Sequence, residues 1–353
     1  MENIKVIVCG LGAMGSGMAN MMLQKKGIEI VAAVDSYGGK IGKDLSEVLG
    51  VKRQLNIKVS GDFHKVICET KADIAILAID SFVKTVYPYI KFIVENKMNC
   101  ITIAEEMAYP FTADMSLAEE MDKLAKENGV TILGTGVNPG FVLDTLIITL
   151  SAACRKVHSI TASRVNDLSP FGVTVMKTQG VGTTVDEFER GIKDGSIVGH
   201  VGFQQSIPMI AKTLGLEIDE IIETREPIVS NTHRETTYVK VEPGMVAGCA
   251  HIGYGMKDGK AVITLEHPQQ IHPQNEGIDT GDYIYIKGDP DLHLSIKPET
   301  PGGIGTIAVA INMIPQVIAS SSGLKTMMEL PLPHAIENSF AEVVEYYKAG
   351  DKQ

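Results

Sequence analysis

Short apolar runs separated by amphipathic segments dominate the first part of the chain. The runs occupy residues 5–9, 28–34, 57–59, 73–79, 100–104 and 130–133. Uninterrupted apolar runs are typical of parallel strands that are buried on both faces, and the segments between them have the periodicity of crossover helices. The pattern therefore predicts an α/β fold with a Rossmann-type doubly wound parallel sheet.

The pattern changes near residue 145. A predicted helix at 144–155 leads into a strand-like run at 157–165, and two helical segments follow at 185–193 and 201–214. The remaining strand-like runs are at 236–241, 246–254, 261–266, 283–286 and 292–296. This order predicts a second, α+β domain built on a mixed or antiparallel sheet. We expect a dinucleotide-binding domain of residues 1–144, completed by residues 302–353, and a substrate and dimerisation domain of residues 145–301.

The segment between the first two apolar runs carries the clearest chemical signal. Gly10-Leu11-Gly12-Ala13-Met14-Gly15 has the spacing G-x-G-x-x-G, between a predicted strand and a predicted helix. Such a loop lets a pyrophosphate approach bare backbone at a helix N-terminus. Asp35 ends the second run, where a carboxylate can accept the ribose hydroxyls and repel a 2′-phosphate. NAD is therefore the predicted cofactor, and Lys40 and Lys43 leave NADP possible.

Residues directly after the predicted strands are further candidates for the cofactor site. Ligands of doubly wound sheets bind at the carboxyl ends of the strands, so these positions meet at one edge. We expect the cofactor to contact Gly10, Leu11, Gly12, Ala13, Met14, Gly15, Asp35, Ser36, Ala78, Asp80, Ala104 and Glu105.

Two polar sites adjoin the end of the first domain. Asn138 and Gly140, in the loop 134–141, are placed to orient a substrate, although an Asn-Pro-Gly turn also suits a simple hinge. Asn312 lies in the uncharged segment 301–324, where it either contacts substrate or caps a neighbouring backbone group. The glycines, serines and amides of that segment are too polar for a membrane span and predict a buried helix.

The second domain offers candidates for acid–base chemistry and for anion binding. Gly182 and Thr183 precede a predicted helix, where they would either bind a substrate carboxylate or simply cap the helix. Lys177 and His200 are candidate proton donors or acceptors, with a solvated lysine and a structural histidine as the alternatives. Asp167 follows a predicted strand and would either bind a substrate ammonium or cap a turn.

Composition excludes several other classes of function. The formal net charge is −11 with no basic cluster, which argues against nucleic acid and anionic membranes as partners. The 5 cysteines are widely separated, without the spacing of metal ligands, so we expect reduced thiols, no metal and a cytoplasmic location. No basic, apolar leader begins the chain, and we predict no signal peptide. Exposed sheet edges in the second domain predict a homodimer.

Four segments resemble the dihydrodipicolinate reductase-like group of Rossmann dehydrogenases. They are the glycine loop, Ala104-Glu105-Glu106, and residues 180–184 and 323–327. The resemblance implies a Rossmann domain closed by C-terminal helices, with the substrate carboxylate bound at Gly182 and Thr183. Those reductases carry consecutive histidines shortly before the lysine, whereas residues 166–172 here read Asn-Asp-Leu-Ser-Pro-Phe-Gly. That difference argues against reduction of dihydrodipicolinate itself.

Within this group, residues 133–144, 199–206 and 301–333 are most similar to the diamino acid dehydrogenases of ornithine degradation. This resemblance implies NAD(P)-dependent oxidative deamination of a small diamino acid, with release of ammonia. Lys177 or His200 would take the proton, and Asp167, Glu105 or Asp144 would hold the second ammonium. The alternatives are an imine reductase, an amino acid dehydrogenase with another substrate, and a sensor that binds the dinucleotide without turnover.

Overall fold

The structure, a computed structural model, describes residues 2–350. The chain divides into two compact units. One contains the residues up to Phe141 together with those from Gly302 onward, and the other is Val142–Pro301.

Alternating strands and helices form the first unit up to the loop at residue 134. They are β1 (Ile4–Cys9), α1 (Ala13–Met22), β2 (Ile28–Val34), α2 (Leu45–Leu49), α3 (Phe63–Glu69), β3 (Ile74–Leu77), α4 (Val83–Glu95), β4 (Asn99–Thr102), α5 (Met115–Asn128) and β5 (Thr131–Gly134).

The second unit begins with a helix and is then dominated by strands. Its elements are α6 (Thr145–Ser151), β6 (Lys156–Asp167), α7 (Val173–Thr178), α8 (Val185–Asp194), α9 (Phe203–Leu214), β7 (Glu220–Val229), β8 (Arg234–Glu235), β9 (Lys240–Val241), β10 (Val246–Lys257), β11 (Lys260–Gln270), β12 (Gly281–Asp289) and β13 (Leu292–Ile296).

The chain then returns to the first unit through four more elements. They are α10 (Gly302–Asn312), α11 (Ile314–Ala319), β14 (Gly323–Lys325) and α12 (Phe340–Gly350). The stretch Gly302–Ala319 is long and apolar enough to cross a membrane by length and composition alone. Half of that window is buried inside the protein, where α10 packs along α1, as a core helix would be.

The first unit is built on a six-stranded parallel sheet with the order β14-β5-β4-β3-β1-β2. Apolar clusters cover both of its faces, which explains why β3 and β5 are buried throughout. The chain leaves β1 for β2 on one side and then returns to β3 on the other. Sheets of this kind bind their ligands where the direction of winding changes, so this edge is where a cofactor belongs. The predicted α/β fold is confirmed.

One predicted strand of this sheet is wrong. Residues 57–59 form no strand. Lys58 makes an isolated bridge with Asp44, and the adjoining Ser60 makes one with Val34. The sixth strand is instead β14, which pairs with β5 from the C-terminal part of the chain. A run of three residues is too short to distinguish a strand from an extended loop, since both bury alternate side chains.

The second unit carries a six-stranded mixed sheet with the order β13-β12-β6-β11-β10-β7. β6 and β11 run parallel, and the other neighbouring pairs are antiparallel. Helix α9 packs on β10 and β11 and covers one face. The mixed sheet confirms the predicted α+β character. Strand β7 was missed by the pattern, and the predicted strand at 236–241 shortens to β9.

Candidate functional site

The glycine loop makes a close contact with the neighbouring strand and leaves an open space beside it. Gly10 has φ +92°, and a Cβ on it would lie 2.3 Å from the carbonyl oxygen of Ala78. A Cβ on Gly12 would meet nothing within 4 Å. Gly12 is also the residue from which α1 begins. The loop therefore presents bare backbone to open space at a helix N-terminus, as a pyrophosphate site requires.

Asp35 is fixed by three donors beside this loop. Its carboxylate accepts the backbone N–H of Leu11 at 2.8 Å and of Tyr37 at 2.7 Å, and it lies 3.1 Å from Nζ of Lys40. Burial alone would raise the pKa of Asp35, but the two backbone hydrogen bonds and Lys40 outweigh it and lower the pKa. The carboxylate is therefore charged at neutral pH and keeps acceptor capacity for a ribose hydroxyl.

A cavity of about 500 Å³ adjoins the loop within the first unit. Asp35, Ser36 and Lys40 form its polar wall, and Phe63 and Tyr89 are among its apolar lining residues. An apolar wall opposite a carboxylate suits a base joined to a ribose, so the residues present fit the adenosine half of a dinucleotide. Of the predicted cofactor contacts, the lining includes Gly10, Gly12, Asp35, Ser36, Ala78 and Asp80.

Two adjacent glutamates follow β4 and have different environments. Glu106 accepts the backbone N–H of Val83 at 2.8 Å and thereby supports the start of α4. Burial raises the pKa of Glu105, the nearby charges of Asp80 and Glu106 raise it further, and a hydrogen bond from Ser81 only partly opposes them. A carboxyl with a raised pKa at the carboxyl edge of the sheet is suited to proton exchange.

The loop after β5 is tightly folded. Gly140 has φ +124°, and a Cβ on it would lie 2.5 Å from the backbone nitrogen of Gly136. The N–H of Val137 donates to Oγ1 of Thr306 at 3.2 Å, which ties the loop to α10. Asn138 is thus held at the carboxyl end of β5, where it was predicted. Thr306 was missed because only the fold brings α10 beside this loop.

The structure places Asn312 away from that edge. α10 runs in the same direction as α1: a Cβ on Gly303 would lie 3.2 Å from Cε of Met14, and one on Gly17 would lie 2.2 Å from Cδ1 of Ile307. Asn312 follows Ile307 by five residues, about 7.5 Å along the helix. It therefore lies beside the end of α1, toward the edge where the strands begin. The structure does not support its predicted contact with substrate.

Five polar residues form a row across the covered face of the second unit's sheet. Arg225 of β7 pairs with His251 of β10, and His251 pairs with His267 of β11. The register of β11 with β6 places His267 opposite Arg164, and Arg164 pairs with Asp282 of β12. The order across the sheet is Arg225, His251, His267, Arg164, Asp282, and we call this set the polar row.

The buried ion pair Arg164–Asp282 anchors one end of the polar row. Their side chains are 2% and 1% exposed, and Nη1 of Arg164 lies 2.7 Å from Oδ1 of Asp282. Arg164 also donates to the carbonyl of Thr300, whose N–H donates back to Asp282. Burial lowers the pKa of Arg164, although the Asp282 charge opposes this. The guanidinium nevertheless remains charged, because arginine ionises far above neutral pH.

His200 lies against the polar row. Its ring centroid is 4.8 Å from that of His267 and 4.9 Å from that of Phe203. Nε2 of His200 is buried and has no hydrogen-bond partner among the described residues. Burial, aided by the positive surroundings, lowers the pKa of His200 to about 3. The imidazole is therefore neutral, and a buried ring nitrogen without a partner indicates a place for a ligand group.

The predicted carboxylate site at Gly182 and Thr183 is already occupied by the protein's own hydrogen bonds. The N–H of Gly182 donates to the carbonyl of Val246 at 2.8 Å, and the Thr183 hydroxyl donates to the carbonyl of Gly180 at 2.7 Å. Thr184 and Glu187 then form a capping box, which places a carboxylate at the start of α8. The capping alternative therefore fits the structure, and anion binding there does not.

Three other candidates, Lys177, Asp167 and Asp144, are either exposed or engaged in structural hydrogen bonds. Lys177 lies on the exposed side of the short helix α7. Oδ1 of Asp167 accepts the N–H of Ser169 at 2.8 Å and of His272 at 3.1 Å, so this carboxylate joins the end of β6 to a later loop. Asp144 likewise caps α6 and accepts the Ser206 hydroxyl at 2.9 Å. Within residues 2–350, no group of three or more His, Cys, Asp or Glu side chains is arranged to hold a metal ion.

Comparisons with known proteins identify the family of this chain. Residues 141–346 match the family model of the 2,4-diaminopentanoate dehydrogenase C-terminal domain, and residues 4–104 match that of the dihydrodipicolinate reductase N-terminus. The 2,4-diaminopentanoate dehydrogenase of Acetoanaerobium sticklandii is 48% identical over 346 residues, which cover 98% of each chain. The chain belongs to the 2,4-diaminopentanoate dehydrogenase family. The resemblance stated from the sequence, and the expected Rossmann-type dehydrogenase, are thereby confirmed.

Two amine dehydrogenases are also similar to this chain over nearly its full length. An amine dehydrogenase of Streptomyces virginiae is 22% identical over 94% of this chain and 98% of its own. The solved structure of an amine dehydrogenase from Mycobacterium smegmatis superposes with a TM-score of 0.84 at 28% identity, covering 96% of this chain and 98% of that one.

Proposed function

We propose that this protein catalyses the NAD-dependent oxidative deamination of 2,4-diaminopentanoate to 2-amino-4-oxopentanoate and ammonia. The observation that carries the proposal is the 48% identity, over nearly the full length, to a 2,4-diaminopentanoate dehydrogenase. The departure from the histidine pattern of dihydrodipicolinate reductases at residues 166–172 supports the same choice.

The first unit would hold the dinucleotide. The open backbone at Gly12 suits the pyrophosphate, and Asp35 suits the hydroxyls of the adenosine ribose. Lys40, which also donates to the carbonyl of Leu11, would pair with a 2′-phosphate, so NADP remains a possible second cofactor. Bound NAD would accept the hydride that leaves the substrate carbon.

Glu105 is our candidate for the general base. The C4 ammonium must lose a proton before its lone pair can form the C=N bond, and a carboxylate of raised pKa accepts that proton better than an ordinary one. Water then adds to the imine carbon, and ammonia leaves with formation of the ketone. This assignment replaces Lys177, which lies exposed on α7.

Arg164 of the polar row and His200 are our candidates for binding the amino-acid end of the substrate. Arg164 supplies a buried positive charge and His200 a buried neutral ring nitrogen that has no partner of its own in the described chain. A carboxylate bound there would gain charge-assisted hydrogen bonds in a site with little water. We place the substrate carboxylate at this cluster, since the donors of Gly182 and Thr183 are already used.

Turnover of a small panel of substrates tests the proposed function. The purified protein is mixed with 2,4-diaminopentanoate or meso-diaminopimelate and with NAD or NADP, and reduced nicotinamide and ammonia are both measured. We expect both signals to grow in step with 2,4-diaminopentanoate alone. Oxidation of reduced nicotinamide by dihydrodipicolinate, without amine oxidation, would replace the proposal with an imine reductase. Dinucleotide binding without any turnover would favour a sensor.

We also retain the expected homodimer and cytoplasmic location as proposals. Ile222 and Tyr285, on the face of the second unit's sheet opposite the polar row, are 40% and 43% exposed, which is consistent with a surface that a second copy covers. Light scattering after size exclusion should give the mass of a dimer, and a monomer at the assay concentration would contradict this.

A further inference from the structure

The loop that carries His200, residues 198–202, is held through its backbone by side chains from two strands. Nε of Arg225, on β7, donates to the carbonyl of Val198 at 2.8 Å. The N–H of His200 donates to Nδ1 of His251, on β10, at 2.9 Å. The direction of the His200 ring is therefore set by residues that hold the chain on either side of it.

The partners of His251 fix its tautomer. Because Nδ1 accepts the N–H of His200, it carries no proton, and the ring proton is on Nε2. Nε2 then donates to Oε2 of Glu223 at 2.9 Å. The His251 side chain is fully buried, and both of its nitrogens are engaged, so it has no atom left for a substrate. His251 can therefore affect the substrate only through the groups that it holds, the backbone of His200 and the carboxylate of Glu223.

Glu223 remains a carboxylate in this network. Burial alone would raise its pKa, but hydrogen bonds from His251 and Gln204 and the charge of Arg225 lower the pKa to about 2. Arg225 donates to Glu223 at 2.5 Å and to the loop carbonyl at the same time. Glu223 thus orients both of the side chains that hold the loop, much as a carboxylate hydrogen-bonded to a metal-binding histidine orients that imidazole.

Gly199 shows how closely the loop approaches this network. It has φ +70°, and a Cβ on it would lie 2.8 Å from Nδ1 of His251 and 3.3 Å from Nε of Arg225. Its carbonyl also accepts Nε2 of Gln179 at 2.8 Å. Gly195, with φ +78°, has a similar backbone conformation, but a Cβ there would meet nothing within 4 Å. Substitutions at the two glycines therefore distinguish the effect of backbone strain, which both would cause, from that of contact with the network, which only Gly199 would cause.

We propose that His251 is a positioning residue, which together with Glu223 and Arg225 fixes the His200 loop so that the His200 ring meets the amino-acid end of the substrate. The inference rests on the proposed function in one respect, namely that His200 contacts the substrate.

Variants of His251 test the proposal by kinetics. His251→Leu removes the acceptor for the His200 N–H, whereas His251→Asn places an amide oxygen near the position of Nδ1. We expect His251→Leu to raise KM for 2,4-diaminopentanoate about tenfold, as for one lost buried hydrogen bond, with KM for NAD unchanged. His251→Asn should recover most of the loss. Equal impairment of both variants, or of both values of KM, would overturn the positioning role.

The glycine pair supplies a matched control. Gly199→Ala should raise KM for the diamino acid because its methyl group displaces His251, whereas Gly195→Ala should leave KM unchanged despite similar backbone strain. An equal effect of the two variants on KM would show that strain, rather than the network, is responsible.

Hydrogen exchange separates this inference from the proposed function. The backbone amide of His200 should exchange faster in His251→Leu than in the parent and in His251→Asn, whatever the enzyme oxidises. If the parent does not act on 2,4-diaminopentanoate, the proposed function fails while this measurement still decides the anchoring. Unchanged exchange in His251→Leu would refute the anchoring itself.

Discussion

The glycine loop of the first unit and the polar row of the second are built in opposite ways. The loop is one continuous segment, residues 10–15. Its hydrogen-bond partner Asp35 directly follows the next strand, β2. The polar row takes one residue from each of five strands, spread from Arg164 to Asp282. A site made of backbone depends on local sequence, whereas a site made of side chains depends on register between distant strands.

The glycine loop and the polar row also suit different chemistry. The glycine loop offers N–H groups and one carboxylate, which recognise a cofactor that many enzymes share. The polar row offers buried charge and imidazole, which can distinguish one amino acid from another. We therefore expect variants in the glycine loop and at Asp35 to change the use of cofactor, and variants in the polar row to change stability or the use of substrate.

The largest effect should come from Glu105. Glu105→Gln removes the proposed base but keeps its shape, and we expect kcat to fall by about 10²–10⁴-fold while NAD still binds. Glu106→Gln is the matched control, since an amide oxygen can still accept the N–H of Val83. Dinucleotide fluorescence and initial rates measure the two effects, and near-parent kcat in Glu105→Gln would exclude it as the base.

The pH profile provides a second test of Glu105. Its raised pKa lies above the ordinary value of 4.5, and only the deprotonated form accepts a proton. The rate of amine oxidation should therefore fall as pH decreases through that raised pKa, and this limb should be absent from the residual activity of Glu105→Gln. A profile that is the same in both proteins would contradict the assignment.

The next largest effect concerns the ion pair of the polar row. Arg164→Met leaves Asp282 buried without its partner, which should lower the free energy of unfolding by about 3–5 kcal/mol. Arg155 and Asp289 form a similar pair at 2.6 Å, but Arg155 is 84% exposed. Arg155→Met should therefore change stability far less, as urea unfolding can show. Similar losses of stability in both variants would show that burial of the Arg164–Asp282 pair does not determine its contribution to the free energy of unfolding.

A moderate effect is expected on the choice of cofactor. Asp35→Asn keeps a hydrogen-bond acceptor but removes the charge, so KM for NAD should rise about tenfold and the ratio of NADP to NAD use should increase. Lys40→Met should change that ratio in the opposite direction, because Lys40 is the nearby cation that a 2′-phosphate would meet. Ratios of kcat/KM for the two cofactors measure both, and an unchanged ratio in Asp35→Asn would remove its role in selectivity.

The smallest effect should come from Lys177. Lys177→Met replaces an exposed side chain on α7, and we expect kcat/KM to stay within about twofold of the parent. A loss comparable with that of Glu105→Gln would restore Lys177 as the proton acceptor that the sequence indicated.

Most of the fold could be predicted because its strands are buried on both faces and read as apolar runs. Strand β7 was missed for a physical reason. Its inward positions include Glu223 and Arg225, which serve the network around His251, so the alternation of apolar and polar residues is broken there. A hydrophobic pattern fails to predict a strand whose core-facing positions hold polar residues with a function.

The candidate site could be predicted only where it is local. The glycine loop and Asp35 follow from spacing alone. The position of Glu105 after a strand predicted a cofactor contact or an ammonium ligand, whereas its proposed role as the base depends on the burial that raises its pKa. His251 and His267 look like ordinary strand histidines until the pairing of β10 with β11 sets them side by side. Gly182 and Thr183 show the reverse error, since their pattern suits an anion but the fold already uses their donors.

In the proposed reaction, the amine on C4 of 2,4-diaminopentanoate is the one removed. The most direct measurement uses substrate labelled with ¹⁵N on C4 alone, with NAD, and follows the label by mass spectrometry. We expect the label to be released as ammonia and the 2-amino-4-oxopentanoate product to be unlabelled. Label retained in the organic product, with unlabelled ammonia released, would place the oxidation at C2 and contradict the account.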